Sequence, residues 1–314
     1  MARVWRYLLL AQAWNFALAL CLAVFVQDAI RSSLGSSLAG DRMAASFDPF
    51  WYGSFSTRAE GVASTFRPSV SGAGAVLDAL DTFLDGFASV FRGGLEANLW
   101  PVLLLYLLSW TFLSGGFLST LVSPDHDTSF FARAAGLFPP LFIVSFGGLC
   151  GYAVILGPMR ARADAFVGTR LRDVIDERVQ FGWTLGEYAG LWASLLLLNL
   201  ALDYTKIFIA RLPAGRGALS AAFQGVGQAG RFVLGHPLSA ISLYGLTGLL
   251  GLFGLAIYVW VVPGAGHVSA TAIVGTFLLG QASVAGRLAL RCLFFATEAQ
   301  LVAGFSPDPS RPVE

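Results

Sequence analysis

Four ionisable residues stand inside stretches that are otherwise apolar: Asp203 and Lys206 in one, Arg287 and Arg291 in another. Each costs about 2.5–3.5 kcal/mol at the centre of a membrane helix on insertion scales, so such residues persist where they pair or meet a ligand. The chemistry open to them is electrostatic. One carboxylate among three cations clamps helices together, or the group holds an anionic lipid or substrate in a cavity facing the cytoplasm. Counted inward from Glu187 and from Ala270, Asp203 and Arg287 come at nearly the same depth, which predicts that they pair. Arg291 then lies one turn deeper beside Lys206, within snorkelling reach of lipid phosphates. Asp203, Lys206, Arg287 and Arg291 form the candidate buried polar cluster.

Other groupings carry less. His126, His236 and His267 fall in separate loops on both sides of the expected topology and cannot share a metal. Asp125 and Asp127 flank His126 as a solvated turn, and Asp78, Asp81 and Asp85 read as a wet helix stripe. Cys21, Cys150 and Cys292 lie in apolar segments without paired spacing and behave as small hydrophobes. No phosphate-cradling P-loop is present, so a nucleotide-driven transporter would need its motor on another chain. No catalytic residue, cofactor or metal is expected.

The elements that must position the cluster are membrane helices. Residues 232–286 include no Asp, Glu, Lys or Arg. A single helix of that length would be roughly 80 Å long against a hydrocarbon core of about 30 Å, so the run folds back, at Pro263–Gly266. Charge-free windows at 7–27, 99–122 and 134–159 and a less pure one at 188–210 bring the total to six spans. Trp100 and Pro101 open the second as interface anchor and helix-start proline. The first window is too long for a signal peptide's apolar region and is read as a retained helix.

Composition agrees. Mean hydropathy is +0.68, with 56% apolar and 12% charged residues, far from the roughly 25% charge of soluble domains. A formal charge of +1 excludes a nucleic-acid binder working through a basic surface. For orientation, Arg3, Arg6, Arg133, Lys206, Arg211, Arg216, Arg231 and Arg311 fall on one side of the short loops. Arg160, Arg162, Arg170, Arg172 and Arg178 fall on the other, which places both termini in the cytoplasm.

Three stretches have the pattern of helices lying on the membrane surface. Leu77, Leu80, Leu84, Phe87 and Phe91 recur at helical spacing beside the Asp78, Asp81 and Asp85 stripe. Phe166, Val167, Leu171, Val174 and Ile175 oppose Arg172, Asp173, Asp176 and Glu177. Leu219, Ala222, Phe223 and Val226 lead to His236 and Pro237. Aromatics at Phe47, Phe50, Trp51, Tyr52 and Phe55 in the first loop call for a surface to bury against, on the chain itself or on a partner. Small residues predict close helix contact at Ser114, Gly115, Gly116 and Ser119, at Gly147, Gly148 and Gly151, and at Gly245, Gly248, Gly251 and Gly254.

Several strings together resemble a group of uncharacterised six-helix bacterial inner-membrane proteins. They are Phe47-Asp48-Pro49-Phe50-Trp51, Ser64-Thr65-Phe66-Arg67-Pro68, Gly74-Ala75-Val76-Leu77-Asp78, Trp110 to Gly116, Asp203-Tyr204-Thr205-Lys206 and His236-Pro237. The second half is also loosely similar to membrane domains found with glycerophosphodiester phosphodiesterases. The resemblance implies a bacterial origin and six helices, and no activity.

The expected architecture is all-α: a polytopic membrane helix bundle with six transmembrane helices plus amphipathic interfacial helices. It forms one integral membrane domain over 1–314, with an extracytoplasmic loop at 28–97. The expected function is that of a non-enzymatic component of the bacterial cytoplasmic membrane binding lipid or a partner protein complex. The alternative is a transporter or permease subunit for an anionic or lipid-like substrate. Membrane lipids, a protein partner or further copies of the chain are the expected contacts, and nucleic acid is not.

Overall fold

The computed structural model describes residues 4–36, 38, 40–42, 48–59, 63, 100–122, 129–172, 174–213, 215–261 and 270–305. The expected turn at Pro263–Gly266, the Leu77–Phe91 helix with its aspartates, and His126, His267, Arg3 and Arg311 lie outside the described residues. The helices are α1 (Val4–Leu34), α2 (Pro49–Arg58), α3 (Trp100–Val122), α4 (Phe130–Val154), α5 (Arg160–Leu171), α6 (Glu177–Arg211), α7 (Ala218–Gly235), α8 (Pro237–Val261) and α9 (Ala270–Phe305). A π turn, Ile155–Met159, joins α4 to α5. The fold is all-α, and among the described residues six helices are long and apolar enough to cross a membrane. Lipid offers backbone groups no partner, and a helix satisfies them within the segment.

Local chemistry sets the helix ends. Asp48 accepts from the backbone N–H groups of Phe50 and Trp51 at 3.0 and 3.1 Å, with Pro49 at the first position of α2. Ser129 Oγ caps α4 by accepting from Ala132 N at 3.2 Å, and Asp176 Oδ1 caps α6 by accepting from Arg178 N at 2.9 Å. Pro139 and Pro140 sit inside α4 and Pro158 inside the π turn. A proline lacks an N–H and crowds the preceding turn, and widening to a π turn is one way a helix absorbs it. The second amphipathic stretch therefore continues the span-three helix. It ends at Leu171 and leaves Val174 and Ile175 in the connection, where Ile175 is exposed.

By compactness the chain divides into two units, Met1–Phe83, Leu95–Leu107 and Thr247–Arg291 in the first, and Leu84–Gly94, Leu108–Leu246 and Cys292–Glu314 in the second. In the first, Gln12 Nε2 on α1 donates to Gln281 Oε1 on α9 at 2.8 Å, and Phe16 meets Phe277 edge to face at 6.1 Å. Trp51 and Phe55 of α2, stacked at 5.0 Å, bury themselves against Ala29, Ile30 and Leu34 of α1. Trp51, Tyr52 and Phe55 thus dock on the chain itself, while Phe50 is exposed and Phe47 lies outside the described residues.

A side-chain amide bond between apolar helices is one of the few directional forces available in lipid, worth about 0.6 kcal/mol on average and up to about 1.7. Gln12→Ala is expected to lower stability by about that amount. Gln281→Ala added to it should cost little more, as a thermal-denaturation double-mutant cycle in micelles can check.

In the second unit α3 packs on α4 over small residues. A Cβ on Gly115 would lie 3.3 Å from Ala134 O, and one on Gly116 would run into the Phe130 ring. Farther along α4, Cβ atoms on Gly148 and Gly151 would approach Leu202 and Leu198 of α6 to 2.8 and 2.9 Å. Small-residue packing thus holds for the first predicted cluster at Gly115 and Gly116 and for the second at Gly148 and Gly151, while Gly147 meets nothing within 4 Å among the described residues. The third differs: Gly251 alone is crowded, 3.0 Å from Leu290, while Gly245, Gly248 and Gly254 meet nothing within 4 Å among the described residues.

Candidate functional site

The second unit's core gathers the last third of α6 with α4, α7 and the end of α9 around Leu141, Leu200, Tyr204, Ile207, Phe295 and Val302. Successive helix positions turn by about 100°, so burial of consecutive residues means a helix enclosed on several sides. That is the state of α6 here, with Asp203 and Tyr204 at 0% exposure and Thr205 at 3%. Thr205 Oγ1 closes back on Ala201 O at 2.7 Å.

Asp203 Oδ1 accepts from Lys206 Nζ at 3.1 Å, one turn along the same helix. Asp203's side chain is 1% exposed and that of Lys206 17%, so the ammonium stands between the buried carboxylate and the surface. Lys206, expected beside Arg291, is thus an ion-pair partner of Asp203 within α6 itself. Arg287 and Arg291 belong to the first unit, where Arg287 is exposed and Arg291 half-buried on α9.

Glu298 was not foreseen from the sequence. It is 1% exposed on α9 and stands within electrostatic reach of the Tyr204 hydroxyl. Arg211, at the end of α6, donates from Nη2 to Ala299 O at 3.0 Å and ties α6 to α9 beside it. The end of α9 also meets His236, whose ring lies 4.2 Å from that of Phe305 and 5.2 Å from that of Phe232. A signal for Glu298 existed: Cys292, Phe295, Ala299 and Val302 recur at helical spacing, and an acid within such a stripe must be buried with it. α9 has 36 residues, about 54 Å of helix, and carries that stripe past the point where a minimal span would stop.

The arrangement suits a packed structural junction, with Arg211 as its bond from α6 to α9. Two carboxylates, Asp203 and Glu298, sit among apolar side chains with Lys206 and Arg211 close to the surface side. No group of three potential metal-ligating side chains occurs among the described residues. Tyr204 Oη has no hydrogen-bond partner among them and is fully buried. An unpaired buried hydroxyl stabilises nothing, so Tyr204→Phe is expected to leave thermal stability within about 0.5 kcal/mol or to raise it. A clear loss on melting would show that the hydroxyl is engaged.

A second polar group, Arg160, Asp164 and Glu187, lies where α5 runs beside the start of α6, with Phe166 edge-on to Trp183 at 5.9 Å and the Arg170 guanidinium 5.3 Å above the Phe166 ring. Inside the unit Tyr152 Oη donates to Asn199 Oδ1 at 2.5 Å, joining α4 to α6. Comparison with protein-family models, with curated proteins and with solved structures finds no match to this chain.

Proposed function

We propose that this chain is a non-enzymatic, multi-pass component of the bacterial cytoplasmic membrane, with both termini in the cytoplasm, that binds lipid or a partner protein complex. Asp203 and Lys206 pair within α6, and Arg211, bonded to Ala299 O, ties α6 to α9 beside Glu298. The observation that carries this is the solid burial around Asp203: Tyr204, Thr205, Ile207 and Ile209 are all 3% exposed or less. A transport site needs polar walls that a substrate can reach, and these walls are apolar and closed. The flank supports it too, since Leu246, Leu249, Leu252, Phe253 and Trp260 of α8 are exposed and suit lipid or another membrane protein.

Proteoliposomes containing the purified chain test the assignment. No saturable uptake of labelled small anions above protein-free vesicles is expected, and a lipid or protein should be retained in stoichiometric amount when the chain is drawn from its membrane in polymer-bounded discs. Saturable uptake that Asp203→Asn abolishes without loss of folding would overturn it in favour of a transporter.

A further inference from the structure

α7 has three faces. Ala221, Ala222, Gly225 and Ala229 are buried, and a Cβ on Gly225 would touch Ile209 of α6. Leu219, Phe223, Val226 and Leu234 form a second face that is exposed, Phe223 to 71%. Ser220, Gln224, Gln228 and Arg231 form a third, also exposed and polar. A helix packed on one side with an apolar and a polar side both open belongs at a boundary between two solvents.

Its tethers fix which boundary. Residues 212–217 alone separate it from α6 and His236 alone from α8, and both neighbours are membrane-crossing helices. Both ends of α7 are therefore held at the level where spans meet headgroups. The sequence there has charge of one sign: from Tyr204 to Thr297 it has no Asp or Glu, while Arg211, Arg216 and Arg231 flank or lie on α7, and Asp203 and Glu298, on the helices packed against it, are 1% exposed or less. The Arg216 guanidinium donates to Gln224 Oε1, and Gln224 Nε2 donates to Ser220 Oγ at 3.4 Å, which keeps the cation along the polar stripe.

We propose that α7 is a seat for anionic phospholipid: Leu219, Phe223, Val226 and Leu234 enter the acyl region while Arg216 and Arg231 engage headgroup phosphates of the same leaflet. This rests on the lipid-binding side of the function proposed above and names the ligand class and the residues. An acid-free polar stripe beside an apolar one, strung between two spans, complements an anionic lipid surface, and a second copy or another protein over that face is an outcome the labels below detect.

The test uses the full chain in nanodiscs of phosphatidylcholine with or without phosphatidylglycerol. A nitroxide is placed at Phe223→Cys or at Gln228→Cys, with Cys21, Cys150 and Cys292 replaced by Ala. Oxygen should reach the label at 223 and a water-soluble nickel chelate the label at 228. Native mass spectrometry should show phosphatidylglycerol retained in preference to phosphatidylcholine. Arg216→Gln and Arg231→Gln should each cut that preference by a factor of about five at low salt, since a basic residue near an anionic surface is worth about 1 kcal/mol.

Equal chelate access at both labels would overturn the proposal by placing α7 in water. Access of neither reagent to 223 would overturn it by showing a protein over that face, and an unchanged lipid preference in the double arginine variant would refute the headgroup role. None of these readouts depends on Asp203, so they fail or succeed separately from the uptake experiment.

Discussion

Asp203→Ala is expected to lower stability by about 3 kcal/mol, because removing one member of a buried ion pair strands the other and opens space in a packed wall. Lys206, whose side chain is 17% exposed, can swing partly toward the surface and soften the loss, which sets the estimate at the low end. In a chain of this size that is a fall in melting temperature of roughly 4–5 °C, read by heating purified protein in micelles and following the monodisperse fraction. Asp203→Asn preserves the shape and one acceptor, so it should fall between wild type and Asp203→Ala. Adding Lys206→Met to Asp203→Ala should restore part of the loss, since no unmatched charge then remains in the pair. If Asp203→Ala melts with the wild type, the Asp203–Lys206 pair has no energetic role.

The legible parts of this fold are those where lipid imposes a rule on sequence. Charge-free runs announced all six spans because an unpaired charge in hydrocarbon is costly; α3 matches its run almost end to end, whereas α1, α6 and α9 extend well beyond theirs. Asp203 was legible for the same reason, as a lone acid in an apolar run. Its ion pair with Lys206 was not. Depth counting treats helices as rods of equal start and ignores a neighbour one turn along the same rod, yet Lys206 at i+3 is the closest cation a helix can offer. Glu298 escaped because α9 continues as a packed helix beyond the length a bilayer needs, and length beyond that limit is set by tertiary contacts with α6 and α7. The glycines of α8 misled in the opposite direction. Small residues permit close approach but do not cause it, and only Gly251 has a neighbour to approach.

Gly225 and Gly230 lie on one helix, and alanine at each is expected to act in opposite directions. A Cβ on Gly225 would stand 2.5 Å from Ile209 Cγ1 and 3.2 Å from the backbone oxygen of Thr205. Neither can yield cheaply: Ile209 is buried at 2% exposure, the Cγ1 atom lies close to its own backbone, and the Thr205 carbonyl belongs to α6 itself. Gly225→Ala therefore pushes α7 off α6, an overpacking cost of about 1–3 kcal/mol, and Gly225→Val should cost more. Gly148→Ala is the milder comparison, because the atoms it meets at 2.8 Å are the far end of the Leu202 side chain, which can rotate aside. Gly230 meets nothing within 4 Å, so alanine there adds only helix propensity, a gain of up to about 1 kcal/mol. Melting curves of the three variants should rank Gly230→Ala above wild type, then Gly148→Ala, then Gly225→Ala. A Gly225→Ala protein as stable as the wild type would mean that α7 does not pack on α6 through this residue, and the three-faced arrangement of that helix would go with it.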